Sequence, residues 1–332
     1  MATLTGYRAD AASILEAEAH SYWIRFFNIR VNPLSDRDIE RITAEAIRSG
    51  RRIVIANQNM HSVYLSQRDR GMCEFYESAS YVHIDGMPLI LLANLLGIHL
   101  KRTNRTTSLD FIPLLAPTMV RERWRLFYLG SRPGIAEAGA RIMRKEYPGL
   151  QIRTHHGYVN EEETAAVLQE INDYRPHILM VGMGMPLQER WIQQHRRSIS
   201  ANVIFPVGAF MDYKAAVIPT PPRWLASFYL EWMCRLVTEP RRLWRRYLVE
   251  PWWVLAGLVQ YSLKHRGSLI EISPQILPAE HVENSSLLAE AKFGLFESEA
   301  MTRSAAAASV KNRWGVDAQL QPTGDDVTGR IR

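Results

Sequence analysis

The run Ser80-Tyr81-Val82-His83-Ile84-Asp85-Gly86-Met87-Pro88 sets a carboxylate where it could do acid–base work. Residues 81–84 are aromatic or β-branched apart from His83, and they read as a short buried strand. Asp85-Gly86 interrupts the run, and residues 87–97 resume it as an apolar helix. Asp85 thus falls beyond the carboxyl end of a strand, the edge at which open α/β sheets bind ligands. A carboxylate there can act as a general base, and Gly86 lets the backbone turn tightly and a substrate approach. The plain alternative is that Asp85 caps the helix that follows. This stretch alone leaves both open.

Two further loops could meet a phosphate. Gly130-Ser131-Arg132-Pro133-Gly134 lies between an expected strand and an expected helix, where free N–H groups favour an anionic oxygen. Such a turn needs glycine in any case. Gly182-Met183-Gly184-Met185-Pro186 has the same setting, but it is not GxGxxG and comes late in the chain. Gln188 and Glu189 follow at a helix start, where Glu189 suits the first turn on structural grounds alone. Neither GxxxxGK[ST] nor HExxH occurs. Asp36 and Asp38 form a D-x-D, the pattern by which many sugar-nucleotide transferases hold a metal. It precedes a helix opened by Ser35 rather than ending a strand, which favours capping. The ten histidines show no metal-ligand spacing, and the adjacent His155 and His156 would face opposite ways in a strand. Cys73 and Cys234 are far apart with no CxxC, which argues for a reducing cytoplasm and against a disulfide framework.

The elements that must position these residues alternate along the chain. A helix opens at Ser35 with Ile39, Ile42 and Ala46 at helical spacing. Strands are expected at 52–56, 81–84, 125–129, 150–154, 177–181 and 202–206, and helices at 60–68, 87–97, 134–147, 161–174 and 188–197. That order predicts an α/β fold, a Rossmann-like mainly parallel sheet with helices on both faces. Residues 1–34, with Tyr22, Trp23, Phe26 and Phe27, read as a docking arm. Residues 35–222 form the α/β domain, 223–262 a basic helical appendage, and 263–332 a tail expected to be largely disordered beyond about 273.

Charge is concentrated in the appendage. The net charge of +6 and pI near 9.4 point to an anionic partner. Residues 223–246 carry six arginines against two glutamates, a net +4. Trp224, Leu225, Phe228, Trp232 and Leu236 recur at helical spacing, which suits an amphipathic helix lying on anionic lipid. Phosphates of a nucleic acid are the rival partner. No charged-then-apolar signal peptide opens the chain, and no apolar run approaches the ~20 residues of a bilayer span. A soluble or surface-bound protein is expected.

Taken in order, these pieces resemble the WecG/TagA/CpsF family of bacterial glycosyltransferases. The matching residues are Asp85-Gly86-Met87-Pro88, Arg105-Thr106-Thr107-Ser108-Leu109-Asp110, Gly130-Ser131-Arg132-Pro133-Gly134, Gly157-Tyr158 and the stretch from Pro176 through Gly182-Met183-Gly184-Met185-Pro186 to Gln188-Glu189. Val207-Gly208-Ala209-Phe210-Met211-Asp212 and the segment from Leu230 to Arg242 complete the set, over roughly residues 50 to 250. The resemblance implies inverting, metal-independent transfer of a sugar from a UDP-sugar to a polyprenyl-diphosphate-linked saccharide. It places the protein at the inner face of the cytoplasmic membrane, in surface or exopolysaccharide synthesis. No cofactor beyond the donor and no nucleic acid is implied, and homo-oligomerisation is left open.

The catalytic base of the family falls on Asp85. Substrate contacts carry over to Asn57, Thr107, Asp110, Gly130, Ser131, Gly157, Tyr158, Gly182, Gly184, Pro186, Gln188 and Asp212. Arg235, Arg242 and Arg245 match the appendage arginines that meet the diphosphate. Three departures stand out: Ser108 replaces the usual glycine, Ile55 replaces a threonine before Ala56-Asn57, and the tail beyond about 262 has no counterpart. The first two adjoin the substrate site and leave the donor sugar open among N-acetylmannosamine, its uronate and glucuronate.

Overall fold

A computed structural model of the chain describes residues 22–26, 29–219, 231–264 and 270–274. The order of elements is β1 (Tyr22–Phe26), β2 (Ile29–Val31), α1 (Asp36–Arg48), β3 (Ile53–Gln58), α2 (Met60–Ser66), α3 (Arg70–Ser78), β4 (Tyr81–Ile84) and α4 (Met87–Leu95). Then come α5 (Ser108–Arg121), β5 (Arg125–Gly130), α6 (Ile135–Glu146), β6 (Gln151–His155), α7 (Glu161–Tyr174), β7 (Ile178–Gly182), α8 (Leu187–His195), β8 (Val203–Pro206) and α9 (Phe210–Lys214). The appendage comprises α10 (Glu231–Thr238), α11 (Pro240–Trp244), a π-helical turn (Arg245–Val249) and α12 (Glu250–Lys264), before strand β9 (Ile270–Pro274).

Strands β3 to β8 form one sheet in the order β4-β3-β8-β7-β5-β6, and every pairing in it is parallel. The expected α/β architecture with helices on both faces is what the chain adopts. Parallel strands buried on both sides need apolar residues at successive positions, as β5 and β7 supply. Leu126 and Tyr128 join a core beneath α1, α5 and α6, while Phe127 and Leu129 join the opposite core beneath α3, α7 and α8. Each fully buried Leu or Phe of this kind contributes roughly 1.5–3 kcal/mol.

Two helices of the body escape the sequence pattern. Pro113 and Pro117 both lie inside α5, where proline removes a backbone donor. Burial of Phe111, Ile112, Leu115, Ala116 and Met119 offsets the lost helix bonds. Helix α3 begins at Asp69, whose side chain accepts from the Met72 N–H. The second acid of the D-x-D is taken up by a capping box: Ser35 accepts from the Asp38 N–H, and Asp38 accepts from the Ser35 N–H at 2.9 Å.

A second, antiparallel sheet has the order β2-β1-β9. The described part of the segment expected as a docking arm is therefore built into the body. Tyr22, Ile24 and Phe26 are buried there, and Phe27 lies outside the described residues. Fully buried Asn32 stitches this layer to β4: it donates to the Tyr22 carbonyl and accepts from the Val82 N–H, each at 2.9 Å. Strand β9 was not foreseen, since its pairing partner lies nearly 250 residues earlier in the chain. The rest of the expected tail, from 275 on, lies outside the described residues.

The appendage differs from the single amphipathic helix expected. Trp224, Leu225 and Phe228 lie outside the described residues, and Pro240 separates α10 from α11. Helix α12 packs on α2, with Val254 and Leu258 in a third core shared with Val63, Ile84, Leu89 and Ile90. His61 and Glu250 meet across that seam at 2.5 Å. Among the described residues no helix is long and apolar enough to cross a membrane.

Candidate active site

The residues singled out for chemistry sit at the carboxyl edge of the parallel sheet, each just past or at the end of its own strand. Asn57 is the penultimate residue of β3, Asp85 follows β4, Gly130-Ser131 closes β5, Gly157 follows β6, Gly182-Gly184 closes β7, and Asp212 sits in α9, the helix after β8. Parallel strands all run the same way, so their carboxyl ends gather loops from distant parts of the sequence on one edge.

Asp85 does not cap α4. Gly86 is the N-cap residue, and no side chain bonds to the first turn. The Asp85 carboxylate instead accepts from Asn57 Nδ2 at 3.1 Å, and its backbone N–H donates to the Gln58 carbonyl at 2.8 Å. Burial pushes the Asp85 carboxyl above its ordinary value, opposed in turn by Arg235, Arg105, the Asn57 hydrogen bond and Arg246. A carboxylate so placed is a stronger base than one in water, and the surrounding cations keep it able to ionise. Asn57 is held in turn by its backbone carbonyl, which accepts from Tyr76 at 2.9 Å.

The strand beneath Asp85 is fixed by His83. Its ring is buried and 2.7 Å from the Thr106 hydroxyl, with its edge toward Phe111. Burial holds the imidazole down to about 4, so it stays neutral. Thr106 also donates its backbone N–H to the Ile84 carbonyl, tying the Arg105-Thr106-Thr107 stretch to β4. Thr107 donates to Asp110 at 2.7 Å at the start of α5, and Arg105 lies 3.9 Å from the same carboxylate. Asp36 shares this corner: burial and the Asp110 charge raise it to about 6, against Arg105.

The loops after β5, β7 and β8 interlock. Ser131 donates to Asp212 at 2.7 Å, so its one proton is used and the Tyr128 hydroxyl, 2.9 Å away, donates to it. A Cβ on Gly182 would overlap the Tyr128 hydroxyl and the Gly208 carbonyl, so only glycine permits this approach. Gly157 donates to the Ser131 carbonyl at 2.9 Å. Pro186 follows a cis peptide bond, and Gln188 accepts from the backbone N–H groups of Gly184 and Gly208 at 3.2 and 3.1 Å. Glu189, fully buried, accepts from Gln188 at 2.7 Å and is pushed up to about 7 by burial.

With this geometry in place, residues 24–268 match the Glycosyl transferase WecG/TagA/CpsF family. The chain belongs to that family. It is a glycosyltransferase. Among its relatives are the N-acetylglucosaminyldiphosphoundecaprenol N-acetyl-beta-D-mannosaminyltransferases of Staphylococcus aureus strains NCTC 8325 / PS 47, COL and MSSA476. Each is 25% identical over 201 residues, spanning 60% of this chain and 78% of the relative.

In this WecG/TagA/CpsF protein the expected residues do not all converge. Asp85 and Asn57 meet, as do Ser131 with Asp212, Thr107 with Asp110, and Gln188 with Gly184. Tyr158 is instead exposed. Of the arginines carried over, Arg235 acts on Asp85 and lies over the Tyr213 ring at 5.2 Å, whereas Arg245 is exposed beside Trp244. The side chain of Arg242 lies outside the described residues. Arg246, next to Arg245, is the member of that doublet whose field reaches Asp85 and Glu189. Arg246, Arg105 and Tyr76 went unnoticed as site residues in the sequence. The Arg245-Arg246 doublet was visible, but which member turns inward depends on the π-helical turn that holds both. His155 and His156 also depart from expectation: β6 ends at His155, strand alternation lapses, and their rings lie 4.4 Å apart.

Proposed function

We propose that the protein transfers N-acetylmannosamine from its UDP-sugar to a polyprenyl-diphosphate-linked N-acetylglucosamine, with inversion and without an essential metal. The observation that carries this reading is the Asp85 carboxylate at the sheet's ligand edge, held by Asn57 and ringed by arginines. The choice of sugars follows the activity for which the Staphylococcus aureus relatives are named, which includes both. A nucleic-acid partner is not favoured, because Arg235 and Arg246 are drawn toward a buried carboxylate rather than spread over an open face.

Asp85 removes the proton from an acceptor hydroxyl whose oxygen attacks the anomeric carbon, while the bond to the UDP oxygen breaks on the opposite side. Asn57 occupies one carboxylate oxygen and leaves the other for the proton. Arg235, Arg246 and Arg105 stabilise the charge that grows on the diphosphate groups, the work a divalent cation does elsewhere. Asp38 of the D-x-D is engaged in a helix cap and Asp36 lies beside Asp110 and Arg105, and no step is assigned to either.

The appendage is the contact with an anionic membrane surface. Trp244, Trp252 and Trp253 are exposed on it, together with Leu248 and Val259. This suits an enzyme at the inner face of the cytoplasmic membrane acting on a lipid-borne acceptor. The test is incubation with a panel of UDP-sugars and a lipid-diphosphate-linked N-acetylglucosamine, with and without EDTA. One β-linked N-acetylmannosaminyl product, formed equally in EDTA, is expected. Transfer from another sugar nucleotide would replace the donor, and loss in EDTA restored by Mg²⁺ or Mn²⁺ would overturn metal independence.

A further inference from the structure

Glu189 occupies the first turn of α8, where a surface carboxylate would merely favour the helix N-terminus. It is instead completely buried, with Gln188 beside it almost as deep. One carboxylate oxygen accepts from Gln188 Nε2 at 2.7 Å, and the other has no partner among the described residues. Burying an acid in this way is costly, and native proteins keep such groups where they do something. Being wholly covered, Glu189 cannot touch a substrate. Its effect must pass through the group it holds.

That group is a cross-link between two loops. Gln188 Oε1 accepts from Gly184, in the loop after β7, and from Gly208, in the loop after β8. Both glycines have left-handed backbones, with φ of 82° and 54°, so each loop turns sharply at the point where the amide oxygen grips it. The Gln188 side chain can do this only with its oxygen toward the two N–H groups and its Nε2 toward Glu189. Without an acceptor behind it, Nε2 becomes a buried unpaired donor and the amide loses its anchor. The titratable groups whose fields Glu189 shares are the neutral phenol of Tyr76 on α3 and Arg246 of the appendage.

We infer that Glu189 is a positioning residue for donor binding: through Gln188 it locks the Gly184 and Gly208 loops into one rigid cradle beside the Ser131–Asp212 pair. The hydrogen bond, not the charge, is what matters. This rests on the proposed use of a UDP-sugar donor.

Two substitutions separate reach from charge. Glu189→Gln keeps an acceptor at the same distance and removes the charge. Glu189→Asp keeps the charge and draws it back by one methylene. Steady-state kinetics with UDP-sugar should show E189Q within about threefold of wild type, and E189D with donor KM raised about 10- to 100-fold and kcat little changed. Equal activity in E189D and wild type would overturn the inference, as would a kcat loss without a KM change. Damage in E189Q but not in E189D would assign the role to charge and overturn it as well. Amide hydrogen exchange gives a readout independent of any donor: the Gly184 and Gly208 N–H groups should exchange faster in E189D and unchanged in E189Q. If wild type neither binds UDP nor uses a UDP-sugar, the donor reading fails. The exchange result then still decides whether Glu189 locks the two loops, and unaltered exchange in E189D would sink that too.

Discussion

The sheet body and part of the appendage surface sort their side chains differently. In the body, Leu126, Phe127, Leu129, Ile178 and Leu179 have no exposure, and the charged residues of α6 and α7 lie outside. In the appendage Trp252 is 70% and Val237 78% exposed, while Arg235 and Arg246 are half-buried against the body. Leaving large apolar groups out while these two cations turn in would be wasteful in water, even though Leu243, Val254 and Leu258 pack inward and Arg241 and Arg245 face out. It makes sense when the outer medium is lipid and the inner partner is a diphosphate. The body needs no such partner, because its two cores bury enough apolar surface to hold the sheet edge in place.

The largest expected effect belongs to the body. Asp85→Asn keeps the shape and the Asn57 contact but cannot take a proton, so turnover should fall about 10²–10⁴-fold while UDP binding persists. Near-normal turnover in that variant would remove Asp85 from the chemistry and leave the sheet edge as a binding platform only.

On the appendage, the doublet gives the next effect. Arg246→Gln should lower kcat/KM about 10- to 100-fold by removing a charge-assisted contact, whereas Arg245→Gln should stay within about threefold. The reverse result would mean that the exposed arginine swings inward when substrate binds. Replacing Trp252 and Trp253 together by Ser should weaken binding to anionic vesicles about 10-fold or more, leaving transfer to a soluble short-chain acceptor intact. Added salt should weaken the part due to arginine and spare the part due to tryptophan. Vesicle binding unmoved by the double substitution would show that the exposed apolar face serves another partner.

The smallest effect joins the two regions. The acid limb of the kcat profile should report Asp85, and it should lie above the ordinary carboxylate range because burial raises that group. Arg235 favours the ionised form, so Arg235→Gln should move the limb to still higher pH, with the plateau rate reached later. A limb that stays put in R235Q would show that the appendage does not act on the base.

Local pattern alone determined most of the body. The apolar runs at residues 125–129 and 177–181 and the Asp85-Gly86 break mark strand ends without reference to anything distant, so the sheet and the edge that carries the candidate site were legible in the sequence. The prolines of α5 show the limit of local pattern: local chemistry says stop, and only burial of Phe111 and Leu115 between helix and sheet overrides it. Tertiary structure decided everything that depends on which of two neighbours faces inward. Nothing local distinguishes Arg246 from Arg245, Glu189 from any first-turn glutamate, or an Asp85 bonded to Asn57 from one that caps a helix. Those choices were made by Asn57 arriving from β3, by Gly208 arriving from β8, and by a π-helical turn that rotates one arginine toward the sheet. Contacts between residues far apart in the chain leave no periodic trace in it, and the site is built from such contacts.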